Sequence, residues 1–352
     1  MTEFRVRPIT PGDPTPLPDV AMEVPSCLCG REDVVHRVVA WDDVTGAAFT
    51  YLRCGACGLE RLSPRPVLAE MGRFYPDSYV PFNDPTLNPR SRGERIKRLV
   101  YEVWHAPPGE RSAVAAKWRW LLLVLFWPLR HHPVLSFAAP ATRHVFEFGA
   151  GSGNDLVEFR DAGWTVGGCE PSGHACAVAA SRGIILQACT AEAAVLPEGL
   201  GCVYMNNVFE HLHDPYLVLE KARKALEPGG LVVLVVPNHA GWAARLFGAA
   251  WPGYDPPKHI WGFTPAAMRT VLRNAGFEVV ALDQKYPLST YCWAAGITGE
   301  RMPSAGWPKL RRAAMRLARR LLVASGMVAA FCGAGDYLRV VARKPAAEGT
   351  AR

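Results

Sequence analysis

Two groups of residues in this 352-residue chain have the types and spacing to do chemistry. The first is the run Val145-Phe146-Glu147-Phe148-Gly149-Ala150-Gly151-Ser152-Gly153-Asn154-Asp155. Glycine at alternate positions permits backbone angles that other residues avoid and lets a ligand approach the main chain closely. The run leads into a helix whose first N–H groups have no partner within the helix and can bind that ligand. Glu170 ends the next apolar segment, 17 residues after Gly153, and a carboxylate there can accept hydrogen bonds from a ribose diol. The second group is four cysteines in two pairs, Cys27-Leu28-Cys29 and Cys54-Gly55-Ala56-Cys57, with 24 residues between the pairs. Thiols paired at the tips of β-like turns predict a tetrahedral thiolate site of the kind Zn²⁺ occupies. A glycine follows each pair, and a β unit of about forty residues needs such a staple to be stable.

Further polar groups lie later in the chain. Glu210 and His211 are adjacent, and imidazole has the pKa of a general base. The same pair could instead cap the helix that follows. Asp255, Lys258 and His259 stand among Trp251, Tyr254 and Trp261, an aromatic wall with few polar groups, as ligand pockets are built. His259 could face a substrate or serve as a structural hydrogen-bonder.

The elements that must position these groups follow from the pattern. Residues 26–66 contain β-like segments at Val34–Trp41 and Phe49–Leu52. From Val145 onward strands and helices alternate. Strands are expected at 145–148, 165–170, 183–188, 202–207, 231–237, 277–282 and 336–343. Helices are expected at Asp155–Ala162, Gly173–Arg182, Tyr216–Leu226 and Thr264–Ala275. Thr264 is placed to cap the last of these, with Pro265 at its first position and Gly276 as its stop. Such alternation predicts an α/β protein with a parallel, doubly wound sheet. The segments divide into an N-terminal extension with a cysteine unit (1–82), a helical linker (83–142), a core (143–285), a helical insertion (286–335) and a final core strand with tail (336–352).

The glycine run differs from the dinucleotide fingerprint G-x-G-x-x-G, because the third glycine comes one residue early and Asn154 stands in its place. The pattern resembles instead the class I S-adenosylmethionine-dependent methyltransferases. Three further stretches resemble that family: 197–215 with its V-x-E-H-x-x-D-P element, 225–238, and 275–280. The resemblance implies a Rossmann-like sheet of seven strands, the last antiparallel and inserted between the fifth and sixth. It implies S-adenosylmethionine as cofactor, bound by Glu147, Gly149, Gly151, Gly153, Glu170, Ala191 and Asn206. The order of a cysteine unit, then RLSPRP (61–66), YPDSY (75–79) and the core is similar to a bacterial subgroup that includes sugar C-methyltransferases and glycan-pathway methyltransferases. That resemblance implies a zinc-ribbon-like unit held by Cys27, Cys29, Cys54 and Cys57. It also implies a small-molecule or sugar-containing acceptor, and catalysis by Glu210, His211 and His259.

Composition limits the partners. A net charge of +7 is mild, and the four arginines of the cysteine unit are balanced by acids, so nucleic acid is not an expected partner. The first twenty residues lack the apolar core of a signal peptide, and ten cysteines then favour a reducing, cytoplasmic setting. Residues 309–331 alternate Lys309, Arg312, Arg316, Arg319 and Arg320 with apolar positions at helical spacing. Such a helix can cover an active site or lie on an anionic membrane surface at the inner face. Two rival classes are a cofactor-sensing or nucleic-acid-binding protein and an NAD(P)-dependent oxidoreductase.

Overall fold

The computed structural model describes residues 6–8, 17–42, 45–75, 112–125, 140–286 and 328–346, with a few positions near 100 and 320. Its strands are β1 (Val6–Pro8), β2 (Met22–Pro25), β3 (Val34–Trp41), β4 (Ala48–Cys54), β5 (Glu60–Leu62), β6 (Arg65–Pro66), β7 (His144–Phe148), β8 (Thr165–Cys169), β9 (Leu200–Asn206), β10 (Leu226–Pro237), β11 (Trp261–Gly262), β12 (Glu278–Tyr286) and β13 (Tyr337–Arg343). Its helices include α1 (Ala113–Lys117), α2 (Arg119–Leu125), α3 (Asn154–Asp161), α4 (Gly173–Ala180), α5 (Pro215–Ala225), α6 (Trp242–Phe247) and α7 (Pro265–Asn274). The chain forms two compact units. The first is Met1–Pro76, Asn206–Glu220 and Leu234–Pro345; the second is Asp77–Met205, Lys221–Val233 and Ala346–Arg352.

In the second unit β7 pairs in parallel with β8 on one side and β9 on the other. Strand β10 lies next to β9. Four of the five β7 residues are buried, as are all residues from Leu200 to Met205. Parallel strands covered on both faces read as continuous apolar runs, which is the pattern of LGCVYM (200–205) and LVVLVV (231–236) here. The strand expected at 183–188 forms only an isolated bridge from Cys169 to Gln187 among the described residues. Glu170 N donates to Gln187 O and Gln187 N to Gly168 O, both at 3.0 Å, and the ladder goes no further. Ile185 is 78% exposed, so no burial rewards a longer pairing there. The sheet is mixed and mostly parallel, as expected, with a bridge in place of the third strand.

In the first unit β13 lies between β12 and the C-terminal part of β10, and it runs antiparallel to β12. Helix α7 leads into β12. Thr264 Oγ1 accepts from Ala267 N at 3.2 Å, Pro265 opens the helix, and Met268, Val271 and Leu272 are buried. Gly276, at φ +80°, turns the chain out of the helix. The same unit holds two small sheets, β1-β2-β6 and β11-β5-β4-β3. Strand β11 comes from residues 200 positions further along than its partner, with Trp261 opposite Arg61. The cysteine unit is therefore completed by a segment that follows β10.

The helical segments expected at 83–142 and 286–335 lie largely outside the described residues, as does most of the basic helix 309–331. Among the described residues no helix is long and apolar enough to cross a membrane.

Candidate functional site

The glycine run forms a tight loop between β7 and α3 in the second unit. Gly149, Gly151 and Gly153 have φ of +60°, +52° and +76°, the left-handed region that glycine enters without steric cost. A Cβ at Gly153 would sit 3.2 Å from that of Ala179. Glu170 braces the loop. Its carboxylate accepts from Gly151 N at 3.0 Å and from Ser172 N at 2.8 Å, the latter at the entry to α4. Burial pushes the Glu170 carboxyl up, and those two N–H groups oppose the shift. Glu147 is buried within β7, where desolvation, then the charges of Asp155 and Glu170, hold its carboxyl well above the ordinary range. Glu147 Oε2 and the Ser152 hydroxyl are buried without a hydrogen-bond partner. A loop that excludes side chains, with two orphaned polar atoms in its strand and turn, fits a polar cofactor such as S-adenosylmethionine. Ala191 is buried in the turn after the Gln187 bridge.

The first unit holds the remaining expected residues. Asn206 ends β9, and its side-chain oxygen accepts from Asn207 Nδ2 at 3.0 Å. Asn207 has φ +54°, which turns the chain sharply into the short 3₁₀ turn Phe209–His211. Glu210, His211 and His259 come together there. The His211 and His259 rings are 4.7 Å apart between centroids and cross at 75°. Backbone pairing fixes them: Ile260 N donates to Glu210 O and Leu62 N to Ile260 O, each at 3.0 Å. Asp255, at φ +31°, starts the turn that presents His259, and its carboxylate holds Lys258 Nζ at 2.7 Å.

The cluster is mostly shut off from water. Glu210 is 1% exposed, and burial pushes its carboxyl up to about 8. Burial and then the charge of His259 push the His211 imidazole well below its usual value, against the carbonyls of Lys258 and Asn207. Burial also lowers His259, with Asp255 opposing. His211 Nδ1 lies 2.8 Å from Lys258 O, and His259 Nδ1 lies 2.8 Å from Gly253 O. A carbonyl only accepts, so both Nδ1 atoms carry the proton and both Nε2 atoms carry a lone pair. Neutral imidazoles with free Nε2 atoms can accept a proton. The aromatic residues expected to wall a pocket are core instead, with Trp251, Tyr254 and Trp261 each under 5% exposed.

The four cysteines also converge in this unit. Sγ separations are 3.5 Å for Cys27–Cys29, 3.6 Å for Cys27–Cys57 and 3.7 Å for Cys29–Cys54. A tetrahedron with Zn–S of about 2.3 Å has edges of about 3.8 Å, so the cluster has the size of a Cys₄ zinc site and is far too open for disulfides. The C-x-C spacing of the first pair does not prevent the fit. Gly30 and Gly58 take φ of +78° and +75° to turn the two knuckles. Tyr216, on α5, donates its hydroxyl to Leu28 O at 2.6 Å and anchors the first knuckle.

Several residues of these sites carry no mark in the sequence pattern. The Tyr75 hydroxyl is 3.0 Å from His211 Nδ1. The Tyr51 hydroxyl reaches the carbonyls of Tyr254 and His259, each at 2.6 Å. His239 Nδ1 lies 2.8 Å from Glu60, which also takes Arg53 Nε at 2.8 Å. His239 stands two residues after the apolar run 231–237, and that position is the available signal.

Comparison with known proteins bears on this geometry. Residues 126–282 match the family described as a methyltransferase domain. The matched stretch is a little under half of the chain. Uncharacterized proteins of Mycobacterium tuberculosis and Mycobacterium bovis are 27% identical over 203 residues, which is 56% of this chain. The match spans 64% of those relatives' length, just under two thirds. A SAM-dependent methyltransferase structure from Thermotoga maritima is 20% identical with a TM-score of 0.42, covering 70% of this chain and 98% of that one. A methyltransferase structure from Mesorhizobium loti is 16% identical with a TM-score of 0.41, covering 59% and 93%. Likeness at that level passes no substrate to this chain.

Proposed function

We propose that this chain transfers a methyl group from S-adenosylmethionine to a small-molecule or sugar-containing acceptor. The observation that carries the reading is the methyltransferase-domain match over a loop of three left-handed glycines braced by Glu170. In this reading Glu147, the glycine loop, Glu170, Ala191 and Asn206 hold the cofactor. The methyl leaves the sulfonium by in-line displacement, so the protein's task is to hold donor and acceptor in line and to ease loss of the acceptor's proton. The cluster of Glu210, His211 and His259 receives the acceptor. The cysteine tetrad holds one structural Zn²⁺, and thiolate ligands suit a reducing, cytoplasmic compartment.

The sugar-containing class is favoured by the order of elements that resembles sugar C-methyltransferases. The test is transfer from isotopically labelled S-adenosylmethionine to parallel panels of sugar nucleotides, simple alcohols and amines. Label in the sugar-nucleotide fraction supports the finer reading. Label confined to amines contradicts it while leaving the enzyme class intact. A nicotinamide oxidoreductase has less support, since Asn154 stands where its fingerprint requires glycine.

A further inference from the structure

The Glu210 carboxylate presents an unsolved problem of solvation. It is 1% exposed, and neither of its oxygens has a hydrogen-bond partner. A buried carboxylate needs donors, a proton or a cation. A proton removes the charge but still leaves an O–H that needs an acceptor. The neighbouring imidazole nitrogen, His211 Nε2, lies 4.0 Å from Glu210 Oε1, beyond hydrogen-bond range. That separation is, however, suited to two atoms bound to one ion. His211 and His259 both spend their Nδ1 protons on backbone carbonyls, at 2.8 Å each, which leaves the Nε2 lone pairs for a ligand. Imidazoles that bind metals are oriented in this way by their other nitrogen. One ligand atom from each of the three residues falls within 4.8 Å of the others.

From this arrangement we infer that Glu210, His211 and His259 form a second metal site, separate from the cysteine tetrad, for a first-row divalent cation. Two imidazoles and one carboxylate suit zinc, manganese or iron and leave coordination positions open. A cation about 2.1 Å from each ligand needs tetrahedral edges of about 3.4 Å. Glu210 Oε1 and His211 Nε2 are 4.0 Å apart and the ligand atoms all lie within 4.8 Å of one another, so the side chains must close in by about 1.5 Å or less. Lys258 is an adjacent ammonium that would repel the ion, and Asp255 holds it at 2.7 Å. The inference deepens the proposed function and rests on it for its purpose: the open positions would take oxygen atoms of the acceptor and hold them for methylation.

The experiment uses the full chain and Co²⁺ as the probe, with absorption spectra recorded at each addition. The tetrad binds with a thiolate-to-cobalt charge-transfer band, and the second site binds without one. Wild type is expected to take up two equivalents, one of each kind. Glu210→Gln and His259→Gln should each keep the charge-transfer equivalent and lose at least tenfold in affinity for the other. His259→Gln, at a half-buried position, covers the case in which the Glu210 variant does not fold. A single equivalent in wild type, or a second equivalent unmoved by the His259 change, overturns the proposal. Binding of S-adenosylhomocysteine is measured on the same samples. Its retention with the second cobalt absent rejects this site alone, whereas its loss in wild type rejects the methyltransferase reading.

Discussion

Gly151 occupies φ +52°, and its N–H is tied to Glu170 at 3.0 Å. A β-branched residue there loses about 1–2 kcal/mol in the left-handed region and puts atoms where the cofactor is proposed to lie. Gly151→Val should lower affinity for S-adenosylhomocysteine at least tenfold, read by calorimetry, while the far-ultraviolet circular dichroism stays the same. A second residue, Glu60, is expected to contribute to acid stability. Burial alone would raise its carboxyl, but His239 and Arg53 outweigh that and bring it down to about 2. The unfolded carboxyl titrates near 4.5. Glu60 therefore stabilises the fold above pH 4.5, and that contribution is lost as pH falls from 4.5 toward 2, to a total of about 3 kcal/mol. Denaturant titrations of Glu60→Gln should show lower stability at pH 7 and a flatter decline across the acid range. An unchanged slope between wild type and variant would mean that Glu60 is not held as an ion.

At the scale of elements, the two cysteine knuckles and β11 make one structure. The first knuckle is tied to α5 through Tyr216, and β5 pairs with β11 two residues beyond His259. A metal bound at the tetrad thus supports the turn that presents the histidine. Cys54→Ser should abolish zinc uptake at that site and lower the Tm by about 5 °C or more, and a thiol-competitive chelator should do the same to wild type. Unchanged Tm with the metal removed would show that the small sheets stand without it. Much of this level is legible in the sequence. Cys27 to Cys57, the capped helix from Thr264 and the glycine loop are local patterns, and each forms where its spacing indicates. The ladder at 183–188 is not formed, because an apolar run specifies extended chain without specifying a partner to pair with.

At the scale of the whole molecule, neither unit is a continuous stretch of chain. The first unit joins Met1–Pro76 to Asn206–Glu220 and Leu234–Pro345. Arg65, 1% exposed in its side chain, lies 5.2 Å over the Trp261 ring and donates to His213 O at 3.1 Å. Such contacts join residues nearly 150 or more positions apart, and no periodicity or motif encodes them. For that reason the sites of Tyr75, Tyr51 and Glu60 are visible only in the fold, whereas the residues they support are visible in the sequence. A chain starting after Pro76 should lose β5, leave Trp261 uncovered and unfold without a cooperative transition. A sharp calorimetric transition at the wild-type Tm would show that the cysteine unit is an appendage.

The central claim is that the glycine loop binds a methyl-donor cofactor. Calorimetric titration of the full chain with S-adenosylhomocysteine tests it most directly. The account predicts saturable binding of one equivalent with a micromolar dissociation constant, and no comparable heat with NADH. Folded protein that binds NADH and ignores S-adenosylhomocysteine would contradict it.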